Sequence, residues 1–361
     1  MNFLKRQIIK VLDYVAYKVA SQIRLDETIK TAVDLSFVAV TDKMSALSSE
    51  TKNIDLKVDA LNRRREVISI SDTELLVKTD YGGWLLVPSY NIDVGIGVVR
   101  DGGIEPWTKA LVGSILKPHD TYINIGANFG YYVCYAAALV GRQGKVVAFE
   151  PNPYVMNYLH RSVYWSGFPD IVELYLLAAY DSKCYLNFGF NPHYMGNGNV
   201  FARGRKPDFQ SCLINSFTLA EIVNPEGKIV VGDHPGTFPL EVQADSLDNI
   251  FKDREGDAVK LLHIDVEGAE AFVLKGAKEV LENNPTMHII CEFDPKTLKD
   301  ERKDLVVSTF QSLVDLQGYT AYRVAPEIWN GSNPPLEKID IKNLSQLPHG
   351  DLYFEPKGEI L

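Results

Sequence analysis

Residues 121–150, TYINIGANFGYYVCYAAALVGRQGKVVAFE, constrain the fold more than any other part of this 361-residue chain. An apolar strand, Tyr122 to Ile125, runs into Gly126-Ala-Asn-Phe-Gly130. A small-residue helix follows over Tyr131 to Val140, and a second strand, Lys145 to Phe149, ends on Glu150. That order suits a nucleoside cofactor. Glycines admit a ligand close to the backbone, the helix N-terminus offers free N–H groups, and an acid about 20 residues on can hold both ribose hydroxyls. A pyrophosphate-binding turn would read G-x-G-x-x-G. Here the two glycines stand four apart, a spacing that suits a ligand without phosphate, its ribose and amino-acid tail lying against the turn. S-adenosylmethionine fits that description; a plain α/β turn with no ligand is the alternative.

The rest of the C-terminal region repeats the alternation. A helix (154–165), a strand (172–178) and an added strand (185–190) lead to a Gly-, Asn- and Arg-rich loop over 191–211. Then come strands at 240–243 and 259–264, a helix over 271–281, a strand at 287–291, a helix over 305–316, and strands at 320–324 and 352–354. Alternating strands and helices predict a parallel sheet covered on both faces, with ligands beyond the carboxyl ends of its strands. Four buried strands end in polar groups, Asn124, Glu150, Asp265 with Glu267, and Glu292, which are expected to converge on one cleft.

Residues 1–65 contain neither Gly nor Pro. Val33, Phe37, Val40, Met44, Leu47, Thr51, Ile54, Val58 and Leu61 step by 4 and 3, a heptad seam that predicts a coiled coil and a homo-oligomer. A helix lying on its own catalytic domain is the alternative. Within residues 1–20, Lys5, Arg6, Lys10 and Lys18 stand among apolar positions. This basic amphipathic stretch either packs in the oligomer or touches an anionic membrane surface. The domains are therefore read as a helical arm (1–65), a β-rich lead-in (66–120) and a cofactor-binding domain (121–361). A net charge of −10 argues against nucleic acid as a partner. Four scattered cysteines without a CxxC pair, no 18-residue apolar run and no signal-peptide pattern give a cytoplasmic expectation, with the inner face of the membrane as the peripheral alternative.

INIGANFG, AFEPNP, LDNI followed by LLHIDVEGAEAFVLKGA, IICEF, and GIEPW at 103–107 together resemble the FkbM family of S-adenosylmethionine-dependent methyltransferases, over roughly residues 95–356. The resemblance implies an α/β, class I (Rossmann-like) methyltransferase fold: a seven-stranded, mostly parallel sheet with helices on both faces and an antiparallel last strand. It implies that Gly126, Asn128 and Gly130 line the methionine part of the cofactor and that Glu150, with Asn152 just past it, holds the ribose. Ala179 and Asp181 border the adenine, and Asp265 sits beside the methyl group. S-adenosylhomocysteine would be the product. The chain departs from the family at Asn124, where Asp is usual, and at His263, where Lys is usual. Glu105 could then supply the charge for the cofactor's ammonium.

For the chemistry, Glu267 or Asp265 is the expected base, with His263 as a third candidate. A divalent ion between Asp265 and Glu292 is permitted by the strand ends but not predicted. The 191–211 loop offers His193, Tyr194, Asn197, Asn199, Arg203 and Arg205 to an acceptor. The expected reaction is O-methylation of a hydroxyl, on a sugar of a bacterial-type polysaccharide or glycoconjugate. A small secondary metabolite as acceptor and a non-catalytic oligomeric scaffold are the alternatives.

Overall fold

In this computed structural model the described residues are 66–191, 193–199, 238–254, 258–299 and 301–358, with residues 10, 11, 14, 15, 18 and 43. The heptad seam, nearly all of the amphipathic stretch 1–20, and Arg203 and Arg205 lie outside them. Among the described residues no helix is long and apolar enough to cross a membrane.

From residue 66 the chain forms a meander of β1 (Val67–Ser71), β2 (Glu74–Lys78) and β3 (Trp84–Pro88), then α1 (Val94–Asp101) and α2 (Pro106–Ile115). The alternating core follows: β4 (Thr121–Ile125), α3 (Tyr131–Val140), β5 (Lys145–Phe149), α4 (Pro153–Trp165) and β6 (Val172–Tyr175). Next come β7 (Ala178–Ala179), β8 (Cys184–Asn191), β9 (Tyr194–Asn199), β10 (Phe238–Asp245) and α5 (Leu247–Phe251). The chain then forms β11 (Val259–Ile264), α6 (Glu270–Lys275), α7 (Lys278–Asn283), β12 (His288–Phe293) and α8 (Lys303–Asp315). It finishes with β13 (Thr320–Val324), β14 (Leu336–Lys338) and β15 (Gly350–Glu355).

The main sheet has the order β14-β13-β15-β12-β11-β4-β5-β6. Pairing is parallel from β12 through β6, and β15 runs antiparallel to both β12 and β13. Seven of these strands form the expected mixed sheet. The eighth, β14, is a correction: its three residues pair antiparallel with β13 at the edge, through Tyr322↔Lys338 and Val324↔Leu336. Period-2 alternation divides the central strands between two cores. Tyr122, Val146, Ala148 and Leu261 pack on one face with α3 and α4; Ile123, Val147, Phe149 and Leu262 pack on the other with α6 and α8. Between β4 and β11 the chain reverses its direction of travel across the sheet, the switch point at which open α/β sheets bind ligands.

Two other expectations change. The strand read over 172–178 ends at Tyr175, and Ala178–Ala179 crosses into a second sheet, β7-β10-β8-β9. The helix read over 271–281 breaks at Gly276, because a Cβ there would lie 2.0 Å from the Tyr180 carbonyl oxygen. The helix gives way so that the chain leaving β7 can pass.

The meander is fastened to the core by Ser162 of α4 and by Ser166, which caps its C-terminus. Ser166 Oγ accepts from Trp84 N (3.0 Å), and the buried Ser162 Oγ accepts from Leu86 N (2.9 Å). Ser162→Ala leaves a buried N–H unpaired and is expected to destabilise the protein by about 1–3 kcal/mol. A lowered urea midpoint with unchanged slope would show it.

Candidate active site

The turn after β4 is built from backbone contacts. Gly126 N and Ala127 N both donate to Phe149 O (3.0 and 2.9 Å), and Asp265 N donates to Ile125 O (2.9 Å). Gly126 has φ +84°, and a Cβ on it would stand 1.7 Å from Asp265 O, so no other residue lets these strand ends meet. Asn128, at φ +50°, turns its N–H onto Glu150 Oε2 (3.0 Å), while Asn152 N donates to Glu150 Oε1 (2.9 Å). Each carboxylate oxygen thus has one backbone donor and keeps a lone pair for a ribose hydroxyl. Burial lifts the Glu150 pKa to about 7 against the pull of these two N–H groups.

The end of β11 is pinned just as firmly. Glu270, buried at the start of α6, accepts from Val266 N (3.2 Å) and Gly268 N (2.9 Å), and Arg302 donates to Gly268 O (2.8 Å). This holds Glu267 at φ +56°. Asp265, Glu267 and Glu292 each place one carboxylate oxygen within 4.8 Å of the others. Burial, then the neighbouring carboxylates, raise all three: Glu267 and Glu292 to about 8, and Asp265 well above its ordinary range. His349 Nε2 lies 2.8 Å from Glu292 Oε1. Opposite, Glu105 at φ +42° accepts from Tyr132 OH (2.9 Å) and is lifted to about 7, chiefly by burial and next by Asp351.

His263 is neutral, its pKa pushed down to about 3 by burial. Its Nδ1 lies 2.8 Å from Tyr122 OH. That buried hydroxyl has no other acceptor among the described residues, so we assign its proton to Nδ1 and the ring proton to Nε2. In that tautomer the ring carries its proton on Nε2, and His263 lines the second cavity.

Two joined cavities occupy the switch point. One, of about 600 Å³, is lined by Gly126, Asn128, Glu150, Ala179, Phe188 and Met195. The second, of about 850 Å³, is lined by Asp93, Glu105, Asn124, Tyr132, His263 and Glu292. Gly126, Asn128, Gly196, Asp265 and Glu267 border both.

Other expected site residues stand elsewhere. Gly130 starts α3 at φ +94° behind the turn. Asn152 caps α4 through Oδ1 and reaches the cofactor side only through its N–H to Glu150. Asp181 is turned onto Lys275 (2.8 Å) and Ser182 (2.9 Å). His193 Nδ1 meets Tyr90 O (3.0 Å), and Tyr194 is 43% exposed; neither lines the two cavities. Asn197 and Asn199 lie in β9, with side chains outside the described residues.

Sequence reading missed the roof over the first cavity, formed by β8 and β9. Gly196 N donates to Asp93 Oδ2 (2.8 Å), and a Cβ on Gly198 would stand 2.5 Å from the Phe188 ring. The glycines of MGNGN were the available signal: they let β9 lie flat against Asp93 and Phe188.

Residues 124–316 match the Methyltransferase FkbM domain, more than half of the chain. The chain belongs to the FkbM methyltransferase family. It is 25% identical over 166 residues to the methyltransferase sdnD of Sordaria araneosa, covering 44% of this chain and about 60% of that relative's length. Among solved structures, the O-methyltransferase TomG of Streptomyces achromogenes, in complex with SAM, aligns at 10% identity and TM-score 0.38 (70% of this chain, 79% of TomG). The O-methyltransferase of Bacillus cereus, in complex with SAH, aligns at 11% and 0.38 (75% and 84%). The family is one of S-adenosylmethionine-dependent methyltransferases, and the Gly126 cradle and two-sided Glu150 fit that cofactor.

Glu150→Ala is expected to weaken S-adenosylhomocysteine binding by about 100-fold, the loss of two hydrogen bonds to a charged group, as read by calorimetry. The acids also set a pH dependence. Glu105, Glu150, Glu267 and Glu292 have folded pKa values of about 7 to 8, against roughly 4.3 in an unfolded chain. Their stability contribution is full below the unfolded value and is lost as pH rises through the folded values. The melting temperature in metal-free buffer should therefore fall between about pH 4.5 and 8 and level off above that, and Glu292→Gln should flatten the fall.

Proposed function

We propose that this enzyme methylates a hydroxyl of a neutral sugar, within a polysaccharide or glycoconjugate. The observation that carries this reading is the lining of the second cavity. It opens beside Asp265 and Glu267, offers Asp93, Glu105 and Glu292 as hydrogen-bond acceptors, and includes no Lys or Arg among its described lining residues. Carboxylates and amides suit a polyhydroxylated acceptor; such a lining repels a phosphate or carboxylate.

When bound, S-adenosylmethionine supplies a sulfonium methyl, which the acceptor oxygen takes in line while the C–S electron pair returns to sulfur. Glu150 would hold the ribose of the cofactor, and the Gly126 turn with Asn124 and Glu105 would hold its methionine part. Glu267 borders both cavities and takes the hydroxyl proton, and His263 Nε2–H orients an acceptor lone pair. The heptad seam supports homo-oligomerisation, which would raise the local density of sites on a long glycan. We place the enzyme in the cytoplasm, and residues 1–20 support a peripheral contact with the inner membrane face.

Methyl-labelled cofactor with a panel of neutral and phosphorylated oligosaccharides tests the reading. The expected product is an alkali-stable ether on a neutral sugar, and Glu267→Gln should cut kcat by about 10²–10⁴ with cofactor binding kept. Label released as methanol by mild alkali, or found only on anionic acceptors, would refute it.

A further inference from the structure

The three carboxylates that meet at the ends of β11 and β12 have geometry beyond what proton transfer needs. One oxygen each of Asp265, Glu267 and Glu292 lies within 4.8 Å of the others. Ligand oxygens around one ion are separated by at most twice the metal–oxygen distance, roughly 4.2 Å for Mg²⁺ and 4.6–5.2 Å for Ca²⁺. Three equidistant oxygens around one ion stand roughly 3.6 Å apart for Mg²⁺ and 4.0–4.5 Å for Ca²⁺, so a closure of up to about 1 Å, within reach of side-chain rotation, brings the set onto a single hard cation. Oxygen-only ligands select magnesium, manganese or calcium over softer metals.

A second observation points the same way. Asn124 is only 2% exposed and lines the same cavity, and its amide makes no hydrogen bond among the described residues. It offers a carbonyl oxygen to a remaining coordination position, directly or through water. His349 Nε2, 2.8 Å from Glu292 Oε1, supplies the outer partner that ligating carboxylates commonly carry. No Lys or Arg among the described lining residues answers these acids.

We propose that Asp265, Glu267 and Glu292 bind one divalent cation at the junction of the two cavities. There it would hold the acceptor hydroxyl oxygen and lower its pKa. Ligation takes one oxygen of each carboxylate and leaves the second oxygen of Glu267 for the hydroxyl proton. The catalytic part of this inference rests on the methyltransfer reading above, but cation binding does not.

The test is titration of the full-length protein with Mn²⁺, followed by electron paramagnetic resonance of the free ion, with and without S-adenosylhomocysteine. One Mn²⁺ per chain is expected in both conditions. Glu292→Gln should raise its Kd at least about 10-fold, while Asp248→Asn, remote from the site, leaves it unchanged. S-adenosylhomocysteine binding, measured by calorimetry on the same samples, separates a failed metal site from a failed cofactor reading. If Glu292→Gln does not fold, Glu267→Gln on the cavity rim carries the same expectation. No saturable Mn²⁺ below about 1 mM would overturn the proposal. So would binding indifferent to both Glu substitutions, or displacement of Mn²⁺ by S-adenosylhomocysteine, which would assign the acids to the cofactor's ammonium.

Discussion

The architecture depends on one backbone contact at the switch point. Asp265 N donates to Ile125 O, and Gly126 presses its bare Cα against Asp265 O. With those strand ends touching, the glycine turn and the acid-bearing turn face each other across a space narrow enough to be shared by a cofactor and an acceptor. A side chain on Gly126 would push the two turns apart and separate the Glu150 side of the site from the Asp265 side. Neighbouring bonds reinforce the contact: Gly126 N and Ala127 N on Phe149 O tie in β5, and Glu270 with Arg302 ties in the chain after β11.

Within that frame the protein concentrates like charge where water is scarce. Glu105, Glu267 and Glu292 hold their protons near neutrality because burial, reinforced by mutual repulsion, disfavours the ionised forms. Among the described residues, three of the four non-glycine positions at positive φ, Glu105, Asn128 and Glu267, border the second cavity. Such backbone strain persists only where the surroundings enforce it. Here the enforcing partners are the Tyr132 hydroxyl, the Glu150 carboxylate and the Glu270 carboxylate. The polar groups that aim the site are thus themselves held by partners one step further out.

The second sheet gives the first cavity its cover. β9 lies against Asp93 and Phe188 because Gly196 and Gly198 have no side chains to hold it off. Phe188 and Met195 then close the space over Ala179 and Glu150. The roof adds apolar cover to the first cavity beside Glu150, while Glu105 and Glu292 line the second.

Local pattern was enough for much of this. The order strand, glycine turn, helix, strand, acid determined the cofactor class and the place of Glu150 beside the glycine turn, because hydrophobic periodicity and turn chemistry act within about 30 residues. The polar ends of four buried strands determined which groups would meet, since a parallel sheet brings its carboxyl ends to one side. Only tertiary structure decided the rest. The register of β11 on β4 turned His263 onto Tyr122. The Lys275 ammonium drew Asp181 away from the cofactor pocket. Tyr180 broke the helix at Gly276, and β14 found β13 with only three residues. Each of these outcomes depends on a partner distant in sequence, whose position no local spacing encodes.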